Sequence, residues 1–237
     1  MTTPKTLSSI LRFQNLKVAF EGHEVVKGIS FEILKGQTTA LVGESGSGKS
    51  VTAFSVLRLL PYPHASHPEG SIFFDGQDLL TLKEDTLRGI RGRRIAMIFQ
   101  EPMTALNPVH TVEAQIAEVL ALHFHIKGAV ARRRILELLH LVGIDHPEQR
   151  LTSYPHQLSG GQRQRIMIAM ALAGEPEILV ADEPTTALDV TTQAQILDLL
   201  KELQQKLGMA LLLITHDLGI VKKVAHYVAV MNDGHIV

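Results

Sequence analysis

Eight consecutive residues, Gly43-Glu44-Ser45-Gly46-Ser47-Gly48-Lys49-Ser50, constrain the fold of this chain more than any others. They follow Thr38–Val42, a short apolar run of the kind that forms a buried parallel strand. They lead into residues 50–60, whose spacing predicts a helix stopped by Pro61-Tyr62-Pro63. A Gly-rich turn between a buried strand and a helix, ending in Lys-Ser, has the full spacing of a phosphate-binding loop. Its glycines let backbone N–H groups curl inward around phosphate oxygens, and the helix adds its positive N-terminal end. Lys49 would supply a cation to the β- and γ-phosphates, and the Ser50 hydroxyl would ligate Mg²⁺. The plainer alternative, a Gly/Ser turn before an ordinary amphipathic helix, does not require the complete spacing together with both flanks.

A phosphate-transfer site also needs a carboxylate at the end of a neighbouring strand. Residues 178–181 are apolar and carry Asp182 to a strand's C-terminal end, where ligands bind in open α/β sheets. Asp182 would hold the Mg²⁺ shell, and Glu183 beside it could polarise an attacking water. Around these segments the chain alternates strand, helix and strand: a helix over residues 191–207 precedes a strand over 209–215. The N-terminal part reads as antiparallel strands: residues 10–20, a break at Glu21-Gly22-His23, residues 25–34, and Ser71–Phe74 closed by Asp75-Gly76. Residues 111–173 are helical in pattern, with Val112, Ile116, Val119 and Leu120 on one face and Ile135, Leu138, Leu139 and Val142 on another. The fold class is therefore α/β, a P-loop core with an antiparallel β portion and an inserted helical subdomain.

The net charge of −1 supplies no global basic field for nucleic acid, and the clusters Arg91, Arg93, Arg94 and Arg132, Arg133, Arg134 read as solvated faces. With no cysteine there are no disulfides or thiolate metal sites within these residues. His123/His125 and His64/His67 lack a carboxylate or third histidine at metal-site spacing. No apolar run approaches the ~20 residues that span a bilayer, and residues 1–10 lack a secretory-signal pattern, so a membrane connection would come through a partner.

Leu158-Ser159-Gly160-Gly161-Gln162 adds a second Gly-rich helix start. Ser159 and Gln162 have capping-box spacing, the helix continues through Ile166, Ala169, Met170 and Ala173, and the two glycines would let backbone amides approach an anion. With this signature the chain resembles the ABC ATPases over residues 11–237. The resemblance implies roles for further residues. Gln100 would be the Q-loop residue sensing Mg²⁺ and water, His216 the switch histidine on the γ-phosphate, and Phe20 the aromatic stacked on adenine. Ala187-Leu188-Asp189 would be the D-loop at a dimer contact. A core aromatic remains the alternative for Phe20, and a cap on the helix at Thr191 the alternative for Asp189.

The same resemblance implies ATP and Mg²⁺ as cofactors and head-to-tail pairing with a second ABC ATPase domain, the signature of one closing on ATP held by the other. It also implies transmembrane permease subunits as partners at the cytoplasmic face of the membrane. Phe99 to Pro108, Tyr154-Pro155-His156-Gln157 and Ala181 to Asp189 look like dipeptide, oligopeptide and nickel importer ATPases, nearest the N-terminal half of tandem-ATPase proteins of peptide and microcin C uptake. That implies a peptide-class substrate handled by other subunits. One ABC nucleotide-binding domain over residues 1–237, its helical subdomain at about 111–173, is expected to be part of a longer chain, since residues 234–237 stop inside a strand pattern. Two rivals are a soluble ABC ATPase acting on nucleic acid or ribosomes, and an ATP-gated dimerisation module that does not hydrolyse.

Overall fold

The computed structural model describes residues 8–101, 105–186 and 188–237. The chain divides into two compact units: one takes the described residues up to Gly89 together with Leu203–Val237, the other Ile90–Glu202. Pro102, Met103, Thr104 and Ala187, which contribute to the family resemblance, lie outside the described residues.

In the first unit, β1 (Ser9–Phe20) and β2 (His23–Leu34) form an antiparallel hairpin. Its turn is Glu21 (φ 49) and Gly22 (φ 86), two left-handed residues whose twist matches that of the flanking strands. The break is thus tighter than the sequence pattern suggests, and β2 begins at His23. Leu11, Phe13, Leu16 and Val18 face inward, and Phe13 stacks on Phe31 with ring centroids 4.2 Å apart. β3 (Thr38–Val42) follows, then α1 (Lys49–Val56), β4 (Ala65–Ser66), β5 (Ser71–Phe74), β6 (Gln77–Asp78) and α2 (Glu84–Arg88). β4 and β5 pair antiparallel with β1. The expected helix over 50–60 ends early. Arg58 turns left-handed (φ 50), and the Leu59 N–H closes back on the Phe54 carbonyl, a helix-ending motif that needs no proline. Arg58 is held there by donating to the Leu82 carbonyl at 2.7 Å.

In the second unit, β7 (Ile95–Ile98) and β8 (Ile178–Asp182) run parallel, with Ile98 opposite Ala181. Between them lie α3 (Val112–Phe124), α4 (Gly128–Leu141), the short α5 (Pro147–Arg150) and α6 (Gly160–Ala173). Val112, Ile116, Leu120, Ile135, Leu138, Leu139 and Val142 are buried as their spacing predicts. Val119 is only half-buried. Buried Gln115 takes part of that face, its amide donating to the carbonyls of Asn107 and His110. Exposed Arg132 pairs with Glu113, and half-buried Arg134 with Glu137 and Glu175.

α7 (Val190–Leu207) runs from the second unit into the first, where β9 (Ala210–Thr215), α8 (Leu218–Val224), β10 (Tyr227–Asn232) and β11 (His235–Ile236) complete the chain. β3 lies between β9 and β10, parallel to both, and β11 pairs antiparallel with β10. Every residue of β3 and β9 is buried, as an apolar run in a parallel sheet requires. Among the described residues no helix is long and apolar enough to cross a membrane.

Candidate functional site

The loop of residues 43–50 joins the end of β3 to α1. Gly43 must be glycine because the chain of β10 passes against it: a Cβ there would overlap the Met231 carbonyl oxygen and lie 2.8 Å from Ser47 Oγ. Gly48 is left-handed (φ 104), and a Cβ there would meet Met231 Cε at 2.7 Å. Glu44, Ser45 and Gly46 form the exposed tip, while Ser47, Gly48 and Lys49 are buried. A buried ammonium must be satisfied by acceptors. Lys49 Nζ donates to the carbonyls of Gly43 at 2.9 Å and Glu44 at 2.7 Å. Ser47 Oγ is buried in the same loop without a hydrogen-bond partner, and Ser50, half-buried, is the second residue of α1. A curled loop with a buried cation and an unsatisfied hydroxyl has the donors that a phosphate chain requires.

Two other expected residues belong to this unit. Phe20 ends β1, half-buried, opposite His23 and Ala65. It is therefore neither an interior core aromatic nor a fully exposed one. His216 is exposed, one residue beyond β9.

In the second unit, Asp182 is the buried last residue of β8 and Glu183 turns left-handed (φ 43) directly after it. Parallel pairing explains what Glu183 meets. Ile98 lies opposite Ala181, so Gln100 and Glu183 both stand two residues past the same rung. Gln100 Nε2 donates to Glu183 Oε2 at 3.1 Å. Thr186 Oγ1 donates to the same oxygen at 3.0 Å. The sequence reading did not single out Thr186. Its only signal is a hydroxyl three residues past the acid, across a proline-containing turn.

The Gly-rich helix start has the geometry that its spacing predicts. Ser159 Oγ accepts from the Gln162 N–H at 3.3 Å, and Gln162 Oε1 accepts from the Ser159 N–H at 3.1 Å, a complete capping box on α6. A Cβ on Gly160 would meet Leu188 Cδ2 at 3.3 Å, and one on Gly161 would meet Thr192 Cγ2 at 2.8 Å, so the loop lies close against the start of α7. Asp189 caps α7: Oδ1 accepts from the N–H groups of Thr191 (3.1 Å) and Thr192 (3.0 Å), and Oδ2 from the Thr192 hydroxyl at 2.6 Å. The Thr192 hydroxyl, then these backbone donors, hold the Asp189 carboxyl below its ordinary value. A cavity of about 440 Å³ opens here, lined by Ser159, Gly160, Gly161, Gln162, Arg165 and Asp189 among others. Its backbone amides at the head of a long helix suit an anion.

Residues 26–186 match the sequence model of the ABC transporter family. The chain belongs to that family. Among curated ABC relatives, it is 62% identical over 234 residues to the peptidoglycan transport ATP-binding protein YejF of Agrobacterium fabrum, covering 96% of this chain and 42% of that protein. It is 54% identical to the dipeptide transport ATP-binding protein DppD of Bacillus subtilis, covering 96% of this chain and 69% of that one. The chain thus spans less than half the length of the first relative and about two thirds of the second. Among solved ABC structures, the dimeric post-hydrolysis state of the ATP-binding cassette MJ0796, bound to ADP and Pi, superposes with a TM-score of 0.83 at 30% identity. That match covers 95% of this chain and 96% of the other. An N-terminal antiparallel sheet, a parallel P-loop sheet and an inserted helical segment are the ABC ATPase fold that the residue pattern predicts.

Proposed function

We propose that this chain is the ATP-hydrolysing part of an ABC importer for peptide-class cargo. The observation that carries this reading is the buried Lys49 ammonium inside a glycine loop too tight for a Cβ at its first position. A triphosphate offers Lys49 charged oxygens in place of two neutral carbonyls, and charge-assisted bonds are the stronger ones. Ser47 Oγ would gain its missing partner, and the amides at the head of α1 would face the phosphates. Each of Ser50, Gln100 and Asp182 carries a side-chain oxygen, the kind of ligand that Mg²⁺ prefers, and the ion would offset phosphate charge. Glu183 would accept a proton from the attacking water, with Gln100 beside its carboxylate. His216 would contact the γ-phosphate, and Phe20, half-exposed at its strand end, would stack on adenine. Ser159, Gly160, Gly161 and Gln162, flanked by Asp189, would close on nucleotide held by a second ABC domain.

The dimeric state of the MJ0796 cassette supports such pairing, and the dipeptide and peptidoglycan transport of the two curated relatives supports peptide-class cargo. Permease subunits would tether the chain to the cytoplasmic face of the membrane, and they, with any capture protein, would select the cargo. The test is Glu183→Gln. The variant should bind ATP, release no phosphate above background, and shift from monomer to dimer by light scattering when Mg-ATP is added. Normal phosphate release would remove Glu183 from the base role. A monomer in the presence of bound ATP would refute pairing between copies of this chain and point to a different second domain.

A further inference from the structure

We propose that Thr186 is a positioning residue that holds the Glu183 carboxylate for water activation, an inference that rests on the base role proposed for Glu183. A glutamate side chain has three rotatable bonds, and a base is effective only when its carboxylate is held within reach of the proton it takes. The segment Glu183-Pro184-Thr185-Thr186 is built for that restraint. Glu183 is left-handed, Pro184 has its φ fixed by its ring, and the Thr186 N–H closes the turn on the Glu183 carbonyl at 3.1 Å. The closure brings both side chains to one side, where Thr186 Oγ1 reaches Glu183 Oε2.

The turn is itself anchored. Buried Thr185 offers its carbonyl to Gln193 Nε2 at 3.1 Å, and Gln193 is bound through its N–H to the Asp189 carbonyl at 2.9 Å, in the first turns of α7. Thr186 is β-branched and so stiff at χ1, which makes its hydroxyl a donor with a fixed address. The second donor differs in kind. Gln100 is a long, exposed amide side chain beyond the end of β7. The two bonds on Oε2 therefore divide the work. Gln100 can be drawn away to sense other groups while Thr186 keeps the carboxylate in place.

The experiment measures phosphate release and ATP affinity in Thr186→Val and Thr186→Ser. Valine keeps the shape and removes the hydroxyl, and kcat is expected to fall roughly tenfold, the effect of losing one hydrogen bond to a charged group. KM and ATP affinity should stay within about twofold, because Thr186 acts on the base and not on nucleotide binding. Serine restores the donor and should recover most of kcat. Thr186→Ala, which adds no bulk, is read in the same way should valine disturb the melting temperature. A hydroxyl-free variant with parental kcat overturns the proposal, and so does a serine variant as slow as valine, which would assign the effect to the methyl group. Glu183→Gln in the same assay separates the two claims. If it is inactive while Thr186→Val is normal, only the positioning role falls; if it turns over, the base role falls first.

Discussion

Replacing Gly43 by alanine tests whether β10, and not only the bound nucleotide, dictates the first glycine of the phosphate loop. At Gly43 the backbone (φ 159) already lies where L side chains rarely go, so alanine there carries a dihedral cost. The larger cost is steric. Its Cβ would overlap the Met231 carbonyl and lie 2.8 Å from Ser47 Oγ. The first neighbour is backbone, held in a strand paired to both β3 and β11, so it cannot rotate away as a side chain could. Overpacking against such a neighbour falls at the upper end of its range, about 3 kcal/mol or more. In a chain of this length each kcal/mol moves the melting temperature by about 2–4 °C, so Gly43→Ala should melt about 6–12 °C below the parent. Gly46→Ala is the control. Gly46 is left-handed (φ 81) with nothing within 4 Å of a Cβ, so alanine pays only the dihedral cost, about 1 kcal/mol, or about 2–4 °C. Thermal melting without nucleotide, followed by circular dichroism, reads both. A Gly43→Ala protein melting with the parent, or with Gly46→Ala, would refute the close approach of Met231.

Ser159→Ala should remove one side of the capping box on α6, destabilise by about 1 kcal/mol, and leave ATP binding at the phosphate loop unchanged. Melting and nucleotide titration check it, and an unchanged melting temperature would contradict the cap. Asp189→Asn keeps a cap acceptor and removes the charge. Because the Asp189 carboxyl is held below its ordinary value, its contribution is present above about pH 4 and lost as pH falls through the lowered value. The variant should therefore lose less stability than the parent as pH falls below about 4, and parallel acid-side melting curves would sink that assignment.

Legibility in this chain follows how local the cause is. Lys49, Ser159 and Gln162 were readable because a loop and a helix start are specified by neighbours within a few residues, and their bonds span three to six positions. The end of α1 was not, since the left-handed Arg58 is fixed by a carbonyl 24 residues away at Leu82, and Pro61 drew attention to the wrong stop. β7 escaped for a similar reason. Four residues among arginines carry little periodicity, and what makes Ile95–Ile98 a strand is its pairing with β8. The Gln100–Glu183 contact depends wholly on that pairing's register, so sequence could name both residues from a motif but not join them. Asp189 illustrates the opposite limit. Its cap on α7 is a sufficient structural reason for an aspartate, yet the cap also fixes it beside Gly161 and the cavity at the head of α6. A residue that starts one helix beside the N-terminal end of another can serve both purposes with a single conformation. That is why the structural and the functional accounts of Asp189 do not compete, and why only a perturbation that separates charge from capping, such as Asp189→Asn, can weigh them.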